Sequence, residues 1–237
     1  MKFMLIIIDD EPAEAALPQA DIAQLVQRHT DFGRALRAEH KWVSSARLRY
    51  SREARTVRQR DETTIVVDGP FAESKEAIGG FYLIEAESRA EAIDWAKRLP
   101  LLESGGVEVR PARTGATWRG PIRAARHYMV LLVAHADRPQ SRAQVFDAID
   151  AHYELSLELA AQGKFVSSRS LEPSPAATAI RQRNDAPVVS DGPFAETKEF
   201  VAGYFVIACD SHDEAVEWGQ RLMSGSHACE VRPLWNA

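Results

Sequence analysis

The chain has 237 residues, of which 45% are hydrophobic and 27% charged, and a formal net charge of −5. This is the composition of a globular chain with a sizeable core, and it argues against a nucleic-acid partner, which would call for a basic excess. The length suits two units of about 100–150 residues each.

The first element is a strand. Phe3–Ile8 is a continuous apolar run, too short for a membrane span and followed at once by Asp9-Asp10-Glu11-Pro12 with no small-residue cleavage site. The run and its acids look like the opening of a response-regulator receiver. The phospho-acceptor Asp and the later Lys of such a domain do not follow, so the acids read as a loop. Ile22, Leu25, Val26, His29, Phe32 and Leu36 then fall at helical spacing. Trp42–Leu48 reads as a second strand, and 56–60 with 65–67 as strand pieces entering an Asp-Gly-Pro turn. Gly80–Ile84 is a further strand. Ser88, with Glu91 three residues on, marks the start of a helix over 90–99. Gly105-Gly106 breaks the chain before a last strand, Val107–Arg110.

After a Gly/Thr-rich stretch the same order returns. Sliding residues 29–99 by 123 positions gives 30 identities in 71 places without a gap. Asp68-Gly69-Pro70-Phe71-Ala72-Glu73-Ser74-Lys75-Glu76 comes back as Asp191-Gly192-Pro193-Phe194-Ala195-Glu196-Thr197-Lys198-Glu199, identical at 8 of 9 places, against 22 of 62 elsewhere in the overlap. The helical stripe returns as Val145, Ile149, His152, Leu155 and Leu159. The boundaries follow: a first copy over 1–113, a linker over 114–125 and a second copy over 126–237. Each copy reads β-α-β-(β)-β-α-β, an α+β ferredoxin-like unit with two helices on one face of an antiparallel-rich sheet. The bare sheet face needs cover, and the linker can span several tens of ångströms at about 3.3–3.6 Å per residue, so the two sheets are expected to pack face to face within one chain. Cys209 and Cys229 lie only in the second copy, which leaves no shared disulfide framework and suits a reducing, cytoplasmic compartment.

The Asp-Gly-Pro-Phe-Ala-Glu-(Ser/Thr)-Lys-Glu loop, the aromatic strand after it, the Glu-Ala-x-x-Trp helix and the closing Val-Arg-Pro resemble the YCII-related, or DGPF-domain, family over nearly the whole of both copies. The resemblance implies a dimeric α+β barrel, formed here by a tandem chain as an intrachain pseudo-dimer. It also implies a His–Asp pair in a pocket, which maps onto His29 with Asp68 and His152 with Asp191. The wider superfamily holds isomerases, heme-handling enzymes and proteins without a known reaction, so activity does not transfer with the fold.

Residue chemistry leaves two readings open. A carboxylate bonded to one imidazole nitrogen frees the other as a base near neutral pH, so His29/Asp68 and His152/Asp191 could do acid–base work on a small polar or anionic metabolite. Against this, a histidine on an apolar helix stripe can be a hydrogen-bonded core residue, and Asp-Gly-Pro is turn chemistry. The Glu73/Lys75/Glu76 set and its twin can be a solvated turn. Arg58 and Arg181, from a recurring Arg-Gln-Arg, could grip a carboxylate or phosphate, with Phe71 and Phe194 lining the same substrate site; exposed cross-strand pairing is their other reading. Trp95 and Trp218 read as packing. No Cys/His spacing suits zinc, no glycine-rich phosphate loop follows a strand and no serine elbow appears, so no cofactor or metal is expected. The chain is thus a small-molecule enzyme or a non-catalytic binding, regulatory or protein-interaction module.

Overall fold

A computed structural model describes residues 1–235 apart from 61–62, 73–75, 123, 125, 139–140, 184–185 and 196. The first copy runs β1 (Lys2–Asp10), α1 (Glu11–Ala15), α2 (Gln19–Ala38), β2 (Trp42–Arg47), β3 (Arg55–Arg60), β4 (Thr63–Asp68), β5 (Glu76–Glu85), α3 (Arg89–Lys97) and β6 (Gly106–Ala112). The second runs β7 (Arg126–His135), α4 (Arg142–Ala161), β8 (Phe165–Ser170), β9 (Thr178–Arg183), β10 (Ala186–Asp191), β11 (Glu199–Cys209), α5 (His212–Leu222) and β12 (Ala228–Pro233). The fold is α+β, with two six-stranded sheets whose pairings are all antiparallel.

Helix starts follow local chemistry. The Ser88 hydroxyl accepts from the Glu91 amide at 3.2 Å, and Ser211 does the same for Glu214 at 3.1 Å. The glutamates reach one residue further back than a capping box requires, to the amides of Glu87 and Asp210. Ser141 and Gln144 make the full reciprocal box at α4. At the chain start the acids are no loop: Asp9 and Asp10 finish β1, and Asp10 caps α1 by accepting from the Ala13 amide at 3.0 Å.

The chain divides into two compact units that do not follow the two sequence copies. The first comprises Met1–Arg47, Ser74–Arg113 and Leu171–Glu196. The second comprises Leu48–Glu73, Thr114–Ser170 and Thr197–Ala237. Each copy therefore keeps its central strands and helices and gives its outer hairpin to the other unit. In the first unit the strand order is β10-β9-β6-β1-β5-β2, with Val107 opposite Ile180 at the junction. In the second it is β4-β3-β12-β7-β11-β8, with Cys229 opposite Val57. The donated hairpin supplies core in each case. Ile180 is fully buried with Phe3, Leu5, Phe32, Leu36 and Trp95, and Val57 with Val130, Leu159, Phe205 and Trp218. Burying an aliphatic side chain contributes about 1.5–3 kcal/mol, so a hairpin removed from its unit leaves an apolar strand edge open. The linker expected over 114–125 is partly structured in the second unit. Ala116 and Ser168 exchange backbone hydrogen bonds, and the Trp118 amide donates to Val166, which covers the free edge of β8. Residues 123 and 125 of it lie outside the described residues.

Candidate functional site

The recurring loop is held by a pair of residues that the sequence reading passed over. Glu108 on β6 accepts from the Phe194 amide at 2.9 Å, and Glu230 on β12 accepts from the Phe71 amide at 2.9 Å. Each glutamate is buried and ion-paired two residues along its own strand, Glu108 to Arg110 and Glu230 to Arg232. The Phe194 and Phe71 carbonyls accept from the Arg181 and Arg58 guanidinium groups. The loop of each copy is thus clasped by the buried Glu–Arg pair of the other copy. The sequence carried the signal: Val107-Glu108-Val109-Arg110-Pro111 returns as Cys229-Glu230-Val231-Arg232-Pro233, with a charged pair inside an apolar strand. Gly69 and Gly192 turn the chain at φ +104° and +97°, a backbone region L side chains rarely adopt.

The four predicted catalytic residues are not brought into bonded pairs. His29, on α2, sits 3.3 Å by Nδ1 from the Tyr82 hydroxyl, which itself donates to the His29 carbonyl at 3.1 Å. Burial lowers its pKa to about 4, helped by the nearby charges of Arg47 and Arg28 and opposed by a hydrogen bond to the Pro100 carbonyl. His152, on α4, makes the corresponding bond from Nε2 to the Leu222 carbonyl at 2.8 Å, and burial lowers its pKa too. The Leu222 carbonyl is one of the last four of α5, which lack helical partners, whereas Pro100 lies three residues beyond the end of α3. Asp68 ends β4 with a side chain 91% exposed, its nearest charge Arg55 at 3.5 Å. Asp191 ends β10 and is exposed. His29 belongs to the first unit and Asp68 to the second, while His152 belongs to the second and Asp191 to the first. Within a unit the aspartate lies on the far edge strand, four strand intervals from the strand that carries the histidine's ring partner, which is about 19 Å along the sheet.

The four predicted substrate-binding residues do assemble, in two versions. In the first unit Arg181 lies over the Phe194 ring, 3.8 Å from its centroid. The ring is buried against Gly106, where a Cβ would come within 2.0 Å of it. Beside this pair opens a cleft of about 350 Å³ lined by Glu103, Ser104, Gly105, Arg181, Gln182, Arg183 and Phe194. In the second unit Arg58 instead holds both carboxylate oxygens of Glu199, one at 3.1 Å. His227, which occupies the place of Gly105, comes within 3.2 Å of the same carboxylate and packs edge-on against His135, ring centroids 5.4 Å apart. Burial would raise the Glu199 pKa, but the Arg58 hydrogen bond, with the Arg58 and histidine charges, holds it below the usual carboxylate range. Burial lowers the His227 pKa, partly offset by Glu199. Of the Glu73/Lys75/Glu76 set and its twin, Glu73, Lys75 and Glu196 lie outside the described residues, as does the side chain of Glu76. Lys198 pairs with Asp137 at 2.7 Å. Trp95 and Trp218 are buried as expected. Among the described residues no group of three or more His, Cys, Asp or Glu is placed to hold a metal ion, and no helix is long and apolar enough to cross a membrane.

Comparison with known proteins agrees with the repeat. The YCII-related domain matches residues 1–114 and again 129–236. An uncharacterised protein of Rhizobium meliloti (strain 1021) is 34% identical over 113 residues, which is 47% of this chain and 91% of that protein. Among solved structures, a putative chlorite dismutase aligns with 99% of this chain and 95% of its own at 8% identity and a TM-score of 0.43. A major regulator of staphylococcal pathogenesis aligns with 100% and 99% at 9% identity and a TM-score of 0.35.

Proposed function

We propose that this chain, which belongs to the YCII-related domain family, is a binding module for a small anionic metabolite rather than a His–Asp acid–base enzyme. The observation that carries this reading is the cleft of the first unit. There Arg181 is fixed flat by the Phe194 ring and carbonyl, and Arg183 follows two residues along the same strand. Two guanidinium groups about 7 Å apart at their backbones, one of them pre-organised, suit a carboxylate or phosphate better than a neutral ligand.

The acid–base alternative asks for an imidazole near neutral pKa beside a carboxylate. His29 is held down near 4 by burial, both histidines are engaged with carbonyls or a tyrosine, and both aspartates stand at exposed strand ends. Calorimetric titration with malonate and with phosphate tests the proposal. Binding of at least one of them should weaken about tenfold or more in Arg181→Gln, since a charge-assisted hydrogen bond contributes about 1.5–3 kcal/mol. His29→Gln and His152→Gln should bind as the wild type does. Binding that survives Arg181→Gln but is lost in the histidine variants would restore the acid–base reading.

A further inference from the structure

The helical stripe expected to face the core does so only in part. Val145, His152, Leu155 and Leu159 turn inward on α4, but Ile149 is 43% exposed. It belongs to a second stripe, with Phe146 at 53%, Tyr153 at 62% and Leu157 at 49% exposure. These four residues follow one another at intervals of three, four and four, so they share one side of the helix. Alongside them runs an acidic rail, Asp147, Asp150 and Glu154, all exposed. Glu158 beyond it is paired with Arg221, whereas among the described residues no cation pairs with the three carboxylates of the rail.

The homologous helix shows that the fold does not require this face. On α2 the stripe positions hold Ala23, Val26, Thr30 and Arg34, and the rail positions hold Gln24, Gln27 and Asp31, the last tied to Arg34 at 2.5 Å. One copy therefore presents an ordinary solvated helix face and the other an apolar stripe with an unneutralised acidic edge. Contiguous exposed apolar patches of this kind mark interaction sites.

We infer that the outer face of α4 docks a cationic amphipathic helix of a partner protein. Anchors at i, i+3, i+7 and i+11 are the spacing that a helix-on-helix contact uses. The rail selects the charge of the visitor, because lysine or arginine flanking the partner's apolar stripe would meet Asp147, Asp150 and Glu154. A second copy of the chain docked antiparallel through the same stripe would set rail against rail. An anionic membrane surface would be repelled by the same carboxylates.

The test uses the full chain and two labelled helical peptides with the same leucine stripe, one flanked by lysines and one by glutamates, read by fluorescence anisotropy. The lysine peptide should bind, and the glutamate peptide should bind at least about tenfold more weakly. Tyr153→Gln with Leu157→Gln should weaken the lysine peptide about tenfold or more, as the loss of buried anchors at a helix interface does. Asp150→Asn with Glu154→Gln, which leaves the stripe intact, should weaken it severalfold and flatten its salt dependence. No binding of the lysine peptide, or equal binding to the wild type and the stripe variant, overturns the inference. So does sedimentation showing a wild-type dimer that the stripe variant converts to monomer, which would assign the face to a second copy.

Discussion

The same corner of the fold is built twice and filled differently. In the first unit Gly105 lines an open cleft beside Arg181 and Phe194, and in the second His227 stands at the matching position while Glu199 occupies Arg58. What the two corners share is the clasp: a buried Glu–Arg pair on the sheet, a Phe amide bonded to the glutamate and a Phe carbonyl bonded to a second arginine. What differs is the side chain in front of it. Retention of the loop in both copies therefore reflects the hairpin exchange, which both units need. On the binding proposal, ligand chemistry falls to the positions that differ between the copies.

If the clasp is the shared requirement, breaking it should have the largest effect, and the same effect in both units. Glu108→Ala and Glu230→Ala each strand a buried guanidinium and release a loop amide. Each should cost about 3–5 kcal/mol in urea unfolding, because removing one partner of a buried ion pair leaves an uncompensated charge. A large loss at one site and almost none at the other would break the equivalence.

Protonation sharpens the comparison at the next level, since Asp9 has only Ala134 as its counterpart. Burial, with Glu14 and Glu11 nearby, raises the Asp9 pKa to about 7 against the pull of Arg47. The native state then holds a proton there that the unfolded chain has released, so this contribution is complete below pH 3.8 and is lost as pH rises toward 7. His29 runs the other way. Its pKa falls from 6.5 to about 4, so its contribution is present above 6.5 and is lost as pH falls through that window. The two nearly cancel between pH 4 and 6.5 and leave a flat profile. Asp9→Asn should remove the cost of an ionised buried carboxyl, so its gain should be about 2–3 kcal/mol larger at pH 8 than at pH 5. His29→Gln should leave the falling Asp9 limb uncovered. A wild-type stability that changes steeply across pH 4–6.5 would contradict the opposed pair.

The aspartates of the turn carry the smallest expected effect. Asp68→Asn and Asp191→Asn alter exposed strand ends and should shift stability by no more than about 0.5 kcal/mol. Binding of malonate or phosphate should be untouched. A large loss of binding in either would return these residues to the site.

Much of this was legible in the sequence, and the rest was lost for physical reasons. Element order came from periods, because Phe3–Ile8 and the inward stripes of α2 and α4 are runs that water does not tolerate at the surface. The repeat gave the loop. The exchange was invisible, because a hairpin such as Thr56–Val67 has the same alternation whether it pairs with its own copy's last strand or with the other's. The roles of Glu108 and Glu230 are not legible, because a carboxylate between two apolar strand residues reads as the exposed face of a strand, whereas both are buried. His29 and His152 lie on the inward stripe, as their spacing predicts. What no periodicity could supply was the carbonyl each one meets, Leu222 at the end of α5 for His152 and Pro100 beyond the end of α3 for His29.

The central claim is that ligand binding belongs to the open corner alone. Calorimetric titration with malonate and with phosphate of the wild type, Arg181→Gln and Arg58→Gln tests it most directly. The account predicts one equivalent of at least one of them bound per chain, weakened about tenfold or more in Arg181→Gln and retained in Arg58→Gln. Two equivalents in the wild type, or loss of binding in Arg58→Gln with Arg181→Gln unaffected, would contradict it.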